Sequence, residues 1–237
     1  MTIRESKLKN ENIASFMNNA RIQFKIIFGL NWIIAPIFIA VIPLSIFFEQ
    51  GDNAFKLSWA NMVMETFSPL IGIIVGSNAF SKEWDLGTDE VWLTKFRSRY
   101  PVFINRVIIM YLYLLLLTFL SLLAIRLFYV KVNLLEGFFI MLPPMFLLSN
   151  IGMLAGLLSR NTIIAYLAPS LYWFLEMTTK GRFTGIFYLF PRRTIACMDS
   201  CGYRFDWMSC KLAVGLLALI LLFILGRLLV ELEKIRK

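Results

Sequence analysis

The sequence contains six apolar runs separated by polar segments, and these runs constrain the fold more than any other feature. The first run, residues 26–48, is 23 residues long and carries no charged side chain. A helix needs roughly 20 apolar residues to cross the hydrocarbon core of a bilayer. The other runs are 57–81, 107–125, 137–159, 162–177 and 212–230. Because a helix satisfies its own backbone polar groups in lipid, the sequence predicts an all-α integral membrane protein with six transmembrane helices.

Composition agrees with this fold class and excludes several kinds of function. Of the 237 residues, 59% are hydrophobic and 16% are charged, whereas a soluble domain carries roughly 25% charged residues. The net charge of +9 therefore concerns membrane orientation and anionic lipid, and no nucleic-acid partner is expected. The chain has no histidine, no phosphate-binding Gly-rich loop and no CxxC pair, so we expect it to bind no cofactor or metal. If the process needs ATP, another chain must bind it.

The polar segments divide the chain into one membrane domain, residues 26–230, and two short cytosolic ends. Residues 1–25 are polar and basic, and an apolar stripe at helical spacing from Ile13 predicts an amphipathic helix at the inner interface. A cytosolic N-terminus places 15 of the 24 Lys and Arg residues inside, although residues 178–211 put six outside. With six spans the tail, 231–237, is cytosolic as well.

The polar segment 82–106, between the second and third spans, is predicted to contain a short cytosolic helix. Gly87 suits the left-handed residue that ends a helical turn, and Thr88 is a favourable N-cap for the next helix. Acidic residues in the first turn and basic residues near the end complement the helix dipole. One face of the helix carries Trp92, Leu93 and Phe96. This face predicts a docking surface for another protein; the alternative is an interfacial helix that rests on lipid headgroups.

Residues 178–211, between the fifth and sixth spans, are too many for a tight turn and too apolar for a free loop. We expect a short helical or re-entrant element near the outer interface, broken at Pro191. This segment also contains the three cysteines, Cys197, Cys201 and Cys210. In an oxidising compartment one disulfide can form, with three pairings and one spare thiol, and buried free thiols are the alternative.

Two carboxylates fall inside the apolar runs, Glu65 in the second and Glu176 near the end of the fifth. Ionisable groups at membrane depth mark a transport path or a pairing. In the functional interpretation both carboxylates line an outward cavity. In the alternative they take part in helix packing, with Glu65 protonated or hydrogen-bonded. Further candidates for the path, which share the polar faces of these two spans, are Asn61, Ser68, Tyr166, Ser170 and Trp173.

Small residues predict where helices pack closely. Gly72, Gly76 and Ala79 continue the polar face of the second span, so this face is expected to look into the protein and not toward lipid. In the fourth span Gly152 and Gly156 have the four-residue spacing that permits close contact between membrane helices.

The order of these segments resembles ABC-2-type ABC transporter permeases over nearly the whole chain. In that family the segment after the second span carries a pattern like E-x-x-x-G-T, then a short helix and a Ser-Arg pair before the third span. The matching residues here are Glu83, Gly87, Thr88, Ser98 and Arg99, followed by the basic Arg106. The run 152–162 also resembles the family's connection between the fourth and fifth spans. The proline common before Ser-Arg is absent, and Pro101 follows the pair instead, so the short helix is expected to end differently.

The resemblance implies a permease that pairs with a second copy or a sister permease and with two cytosolic ATPase subunits, which bind ATP and Mg. It implies that the second and fifth helices face the substrate path and that the last outer element is the external gate. The residues it assigns to ATPase coupling are Glu83, Gly87, Thr88, Trp92, Leu93 and Phe96. The residues proposed for the outer gate are Phe187, Phe190 and Pro191.

The expected function is that of a permease subunit of an exporter in the cytoplasmic membrane, without enzymatic activity of its own. The absence of a large extra domain favours a small amphipathic compound or peptide as substrate, of the antimicrobial peptide or drug type. Two acidic residues in the outer half suggest a cationic one. The alternatives are a non-transporting immunity or sensor subunit, and a membrane-embedded transferase. For a transferase, the acids that cluster are Glu83, Asp85, Asp89 and Glu90.

Overall fold

The computed structural model of this chain describes residues 31–47, 53–85, 100–128, 131–191 and 206–235. Within these ranges the chain is helical and contains no β-strand. The long helices described are α1 Asn31–Phe47, α2 Asn53–Asp85, α3 Tyr100–Phe128, α4 Leu134–Ser159, α5 Thr162–Thr179 and α6 Trp207–Ile235; a short 3-10 helix, Gly185–Phe187, follows α5. The amphipathic helix predicted in residues 1–25 and the segment 86–99 lie outside the described residues.

Four of the described helices are long and apolar enough to cross a membrane. The segments that meet both conditions are Lys56–Ala79, Phe103–Leu127, Leu134–Ser159 and Trp207–Glu231. Helix α1 contributes a shorter apolar segment, Ile34–Ser45, and α5 has 18 residues. The all-helical fold with membrane-length helices confirms the coarse expectation from the sequence, and the count of six spans stays a prediction.

Helices α2, α3 and α6 extend beyond the apolar runs that predict them. Helix α2 continues to Asp85, and α3 begins at Tyr100, so both ends of the predicted coupling region 82–106 belong to long helices. Glu83 therefore lies in the last turn of α2. Once a helix is nucleated, each added residue gains one backbone hydrogen bond, which carries the helix past the apolar run into polar residues.

The centre of the bundle is the packing of α2 against α4, the most extensive helix pair in the described structure. A Cβ atom at Gly72 would stand 2.9 Å from Met145 Cα, and one at Gly76 would meet the Ser149 carbonyl carbon at 2.7 Å. Because no side chain fits at either position, the two backbones approach each other as small residues at this spacing permit. The Ser149 hydroxyl donates to the carbonyls of Gly72 and Met145 at 2.9 and 2.8 Å.

The small and polar face of α2 lies inside the protein, as its sequence predicts. Gly72 and Gly76 are buried, and so are the Glu65 and Ser68 side chains. Residues of the opposite face, such as Met64, are buried too. Helix α2 therefore occupies the interior of the bundle and is packed on most of its circumference.

Side chains of the interior bond to the backbone of neighbouring helices. Asn150 of α4 donates from Nδ2 to the Ala218 carbonyl of α6 at 2.7 Å, and the Tyr111 hydroxyl of α3 donates to Asn150 Oδ1 at 2.7 Å. The Ser77 hydroxyl of α2 donates to the Ala165 carbonyl of α5 at 2.7 Å. These bonds fix the relative positions of the helices where the apolar contacts alone are not directional.

A tight turn at Arg160 and Asn161 connects α4 to α5. Arg160 adopts the left-handed conformation with φ 52° and donates its amide to the Gly156 carbonyl, which ends α4. The Asn161 side chain accepts a hydrogen bond from the Ile163 amide at 2.8 Å and caps the start of α5. Gly152, one turn earlier, packs close to Ser77, since a Cβ there would stand 2.7 Å from the Ser77 Oγ.

Candidate functional site

Glu65 of α2 and Lys211 of α6 form an ion pair inside the bundle. Lys211 Nζ lies 2.8 Å from Glu65 Oε1, and both side chains have 0% exposed surface. Removing two charges from water is costly, so a pair of this kind persists only with close geometry and additional hydrogen bonds. The sequence predicts Lys211 at the end of the outer segment 178–211. In the structure α6 begins at Trp207 and carries Lys211 in its first turns.

A non-helical stretch, residues 188–190, supplies the further partners of these charges. Lys211 Nζ donates to the Leu189 carbonyl at 2.6 Å. The Leu189 amide donates to Glu176 Oε2 at 3.3 Å, and Glu176 is itself buried at the end of α5. The amide and the carbonyl of Leu189 are thus satisfied by the side chains of Glu176 in α5 and Lys211 in α6. Non-helical backbone buried among membrane helices requires satisfaction of this kind.

We call Glu65, Glu176, Leu189 and Lys211 the buried charge cluster. Aromatic side chains lie beside it, since Tyr188 and Phe190 flank Leu189 in the chain. The Phe190 ring meets Trp173 edge-on, with ring centroids 6.4 Å apart, and meets Tyr188 edge-on at 5.9 Å. Trp173 Nε1 donates to the Thr66 carbonyl at 3.0 Å, next to Glu65. Edge-to-face contacts are the favoured geometry of aromatic pairs. The stretch 188–190 is therefore fixed by directional contacts on both its polar and its apolar sides.

The structure brings some of the predicted path residues together and keeps others apart. Glu65, Trp173 and Glu176 all meet at or beside the buried charge cluster. Ser68 is fully buried one helical turn from Glu65, and its hydroxyl has no hydrogen-bond partner among the described residues. The candidates that are half-buried and form no part of the cluster are Asn61, Tyr166 and Ser170.

The packed environment of Glu65 corresponds to the alternative in which this carboxylate takes part in helix packing, and Lys211 is the partner that the sequence did not identify. Glu65 has no exposed surface within the chain. Its role in a transport path stays a prediction, and so does that of Glu176.

The predicted gate element takes a definite shape up to Pro191. The 3-10 helix Gly185–Phe187 is followed by three residues that pack into a second apolar cluster formed by α2, α4 and α6. Phe187 is exposed, whereas Phe190 and Pro191 are buried. The short helical turn is present at Gly185–Phe187, whereas the re-entrant placement and the break at Pro191 stay predictions. Residues 192–205 lie outside the described part of the chain.

The predicted coupling residues begin in the last turn of α2 and continue past it along the sequence. Glu83 belongs to that helix, whereas the remaining coupling residues lie outside the described residues: Gly87, Thr88, Trp92, Leu93 and Phe96. Cys210 is a buried free thiol in α6. Cys197 and Cys201 lie outside the described residues, so a disulfide between them stays a prediction.

Lys211 is the site residue that the sequence alone does not reveal. It stands one residue before the predicted sixth span, where a lysine is ordinarily assigned to the membrane surface. The available signal is Glu65, because charged residues at membrane depth pair with one another. Searching the ends of the other spans for a cation that could reach Glu65 would have included Lys211.

The buried charge cluster connects α2, α5 and α6 through the backbone of Leu189. Its ion pair and hydrogen bonds hold these helices in fixed contact. In the described part of the chain, no three His, Cys, Asp or Glu side chains are grouped so that they could hold a metal ion. Comparisons of the chain with models of protein families, with curated proteins and with solved structures found no match.

Proposed function

We propose that this chain is the permease subunit of an ATP-driven exporter of the ABC-2 type, located in the cytoplasmic membrane with both termini in the cytosol. The observation that carries the proposal is the stretch 188–190, a non-helical element that enters the bundle beside the polar face of α2 and is held by the buried charge cluster. A permease needs an element that closes the substrate path at rest and moves out of that path when the helices move. The order of segments along the sequence supports the same assignment.

Helix α2 supports a mechanical link between the two ends of such a permease. It is continuous from Asn53 to Asp85, and its cytosolic end adjoins the predicted coupling helix. The distance along the axis from Asp85 to Glu65 is about 30 Å at 1.5 Å per residue. In the proposed mechanism ATP binding to two partner subunits displaces the coupling helix. Because α2 is tightly packed against α4, the displacement reaches Glu65 and changes its contact with Lys211.

The proposed substrate is a small amphipathic compound or peptide, and the path lies between this chain and a second copy or a sister permease. One face of α5 is apolar and exposed, which suits either lipid or a partner permease; its most exposed residues are Ile163, Leu167, Leu171, Phe174 and Leu175. Lys211 already balances the charge of Glu65, so the ion pair lends no support to a cationic substrate.

Copurification with the ATPase tests the proposal. The chain, expressed with its neighbouring genes, should copurify with an ATPase in detergent. Trp92→Ala should reduce the amount of recovered ATPase and the stimulation of its ATP hydrolysis by roughly tenfold or more, as expected for an aromatic anchor of an interface. Leu135→Ala is the matched control, because Leu135 is an exposed apolar residue at the start of α4. Its ATPase recovery should equal that of the wild type.

Two results would count against the proposal. One is a purified chain that never retains an ATPase under conditions that preserve its fold. The other is an equal effect of the Trp92 and Leu135 substitutions, which would indicate general instability. Retention of a secreted toxin in place of an ATPase would support the immunity function instead.

A further inference from the structure

Helices α3 and α6 are separated by an open groove. Both pack on α4, but they contact each other very little. The groove between them has a volume of about 670 Å³, which lies within the range of about 300–1,000 Å³ typical of small-molecule sites. Its walls are mostly apolar and include Val107, Ile108 and Tyr111 of α3, and Leu222 and Phe223 of α6.

The position of the groove along the helices places it in one leaflet of the membrane. Phe103 begins the membrane-length segment of α3, and Val230 lies at the end of the corresponding segment of α6. The groove runs from this pair inward to Tyr111 and Leu219, a distance of about 12–16 Å at 1.5 Å per residue. It therefore starts at a membrane interface and ends inside the hydrocarbon core.

Among the described residues that line the groove, the cation is Arg227. Arg227 is exposed, and its guanidinium carbon lies 5.4 Å from the centre of the Phe223 ring, which is the distance of a cation–π contact. A long side chain near a helix end reaches the headgroup level while its stem stays in the apolar region. The guanidinium group has the donor geometry that suits a phosphate. Gly226, the neighbouring residue in the lining, adds no side chain to narrow the groove.

We propose that the groove between α3 and α6 is a binding site for one anionic phospholipid of the bilayer, with an acyl chain along the apolar walls and the headgroup phosphate at Arg227. Charge complementarity at the interface and apolar walls below it match the two parts of such a molecule. The proposal depends on the groove facing lipid and does not depend on the export function.

Native mass spectrometry of the full chain in detergent tests this site. The purified protein is delipidated and titrated with phosphatidylglycerol or with phosphatidylcholine carrying the same acyl chains. We expect the first phosphatidylglycerol to bind at least tenfold more tightly than phosphatidylcholine. Arg227→Gln should remove this preference, and Gly226→Leu, which fills the groove, should weaken the binding of both lipids. Arg126→Gln is the control, because Arg126 is an exposed arginine at the opposite end of α3.

Several outcomes would overturn the proposal. Equal affinities for the two lipids, or an equal loss of preference in the Arg126 and Arg227 variants, would leave no specific site. A wild-type dimer that Gly226→Leu converts to a monomer would assign the groove to a second copy of the chain. Glycerol phosphate, which lacks acyl chains, should not compete; competition would assign the site to a free phosphate. The circular dichroism spectra of the variants should match that of the wild type, which ensures that a change in lipid affinity arises at the groove.

Discussion

Lys211 satisfies two groups at once, the Glu65 carboxylate and the Leu189 carbonyl. An isolated buried ion pair is often no more stable than two apolar side chains of the same volume, because the desolvation of both ions offsets their attraction. The contribution of this lysine therefore depends on its position between partners from different elements. Removing it leaves both a buried carboxylate and a buried carbonyl without their donor.

The first prediction concerns this lysine. We expect Lys211→Met to lower the free energy of unfolding by ~3–5 kcal/mol, since it removes the cation that pairs with the buried Glu65 carboxylate. The double variant with Glu65→Gln should regain part of the loss, because the charge is then removed as well. Thermal unfolding in detergent, followed by tryptophan fluorescence, measures both effects. Lys131→Met, at an exposed lysine, should leave the midpoint unchanged. A Lys211 variant as stable as this control would contradict the assigned ion pair.

The same residues illustrate what a sequence reveals about single side chains. Glu65 stands out because a carboxylate within an apolar run is rare and costly. Lys211 does not stand out, because its meaning depends on where α6 begins and on which helix packs beside it. The role of Leu189 is invisible in the sequence, since its contribution comes from the backbone and not from the side chain.

At the scale of helices, the pairing of α2 with α4 depends on two glycines that leave room for the opposing backbone. We expect Gly76→Ala to destabilise the protein by ~1–3 kcal/mol, since the added methyl group overlaps the backbone of Ser149 and forces the helices apart. Gly215→Ala is the matched control, because its Cβ would meet only Pro143 Cβ at 3.9 Å. Alanine is also the better helix former, so this control should be neutral or slightly stabilising. The thermal unfolding midpoints of the Gly76→Ala and Gly215→Ala variants are compared. Equal midpoints would contradict the close approach of the backbones at Gly76.

The apolar runs predict the central parts of the helices well and their ends poorly. The fourth run, 137–159, matches α4 closely, because Asn133 caps its start and the left-handed Arg160 ends it. The second and sixth runs fall short of α2 and α6, since backbone hydrogen bonding continues after apolar side chains have given way to polar ones. A pattern of hydropathy indicates which part of a helix lies in an apolar environment, and it does not indicate where the helix stops.

At the scale of the whole molecule, α4 determines which loops lie on opposite sides of the membrane. It has 26 residues and is therefore about 39 Å long, enough to cross the bilayer completely. With a cytosolic N-terminus and six spans, Lys131 is outside and Arg160 is inside. This orientation depends on the charge count and on the number of spans, and it is therefore a prediction.

Labelling of intact cells checks this orientation. In a background where Cys197, Cys201 and Cys210 are replaced by serine, Lys131→Cys should react with a membrane-impermeant maleimide, because the Lys131 side chain is exposed and is predicted to lie on the outer side. Arg160→Cys should react only after the cells are permeabilised. The reverse pattern would invert the topology. Labelling of both cysteines from outside would exclude α4 as a span.

The assembly of the bundle was partly predictable. The small and polar face of α2 indicated which side turns inward, but it did not identify the part of α4 that packs there, because Gly72 and Gly76 meet Met145 and Ser149, which carry no such signal in the sequence. The burial of α2 on most of its circumference was not predictable either. Its position depends on how all the other helices surround it, and a single periodic pattern contains no such information.

The two bonds made by Leu189 run to different helices, from its amide to α5 and from its carbonyl to α6. If α5 slid past α6 by more than an ångström or two, one of these bonds would lengthen beyond the hydrogen-bonding range. The peptide at Leu189 would then be left with an unsatisfied polar group in a dry interior. Intermediate displacements are therefore disfavoured, and we expect the outer segment to occupy discrete seated and released positions and not a continuous range.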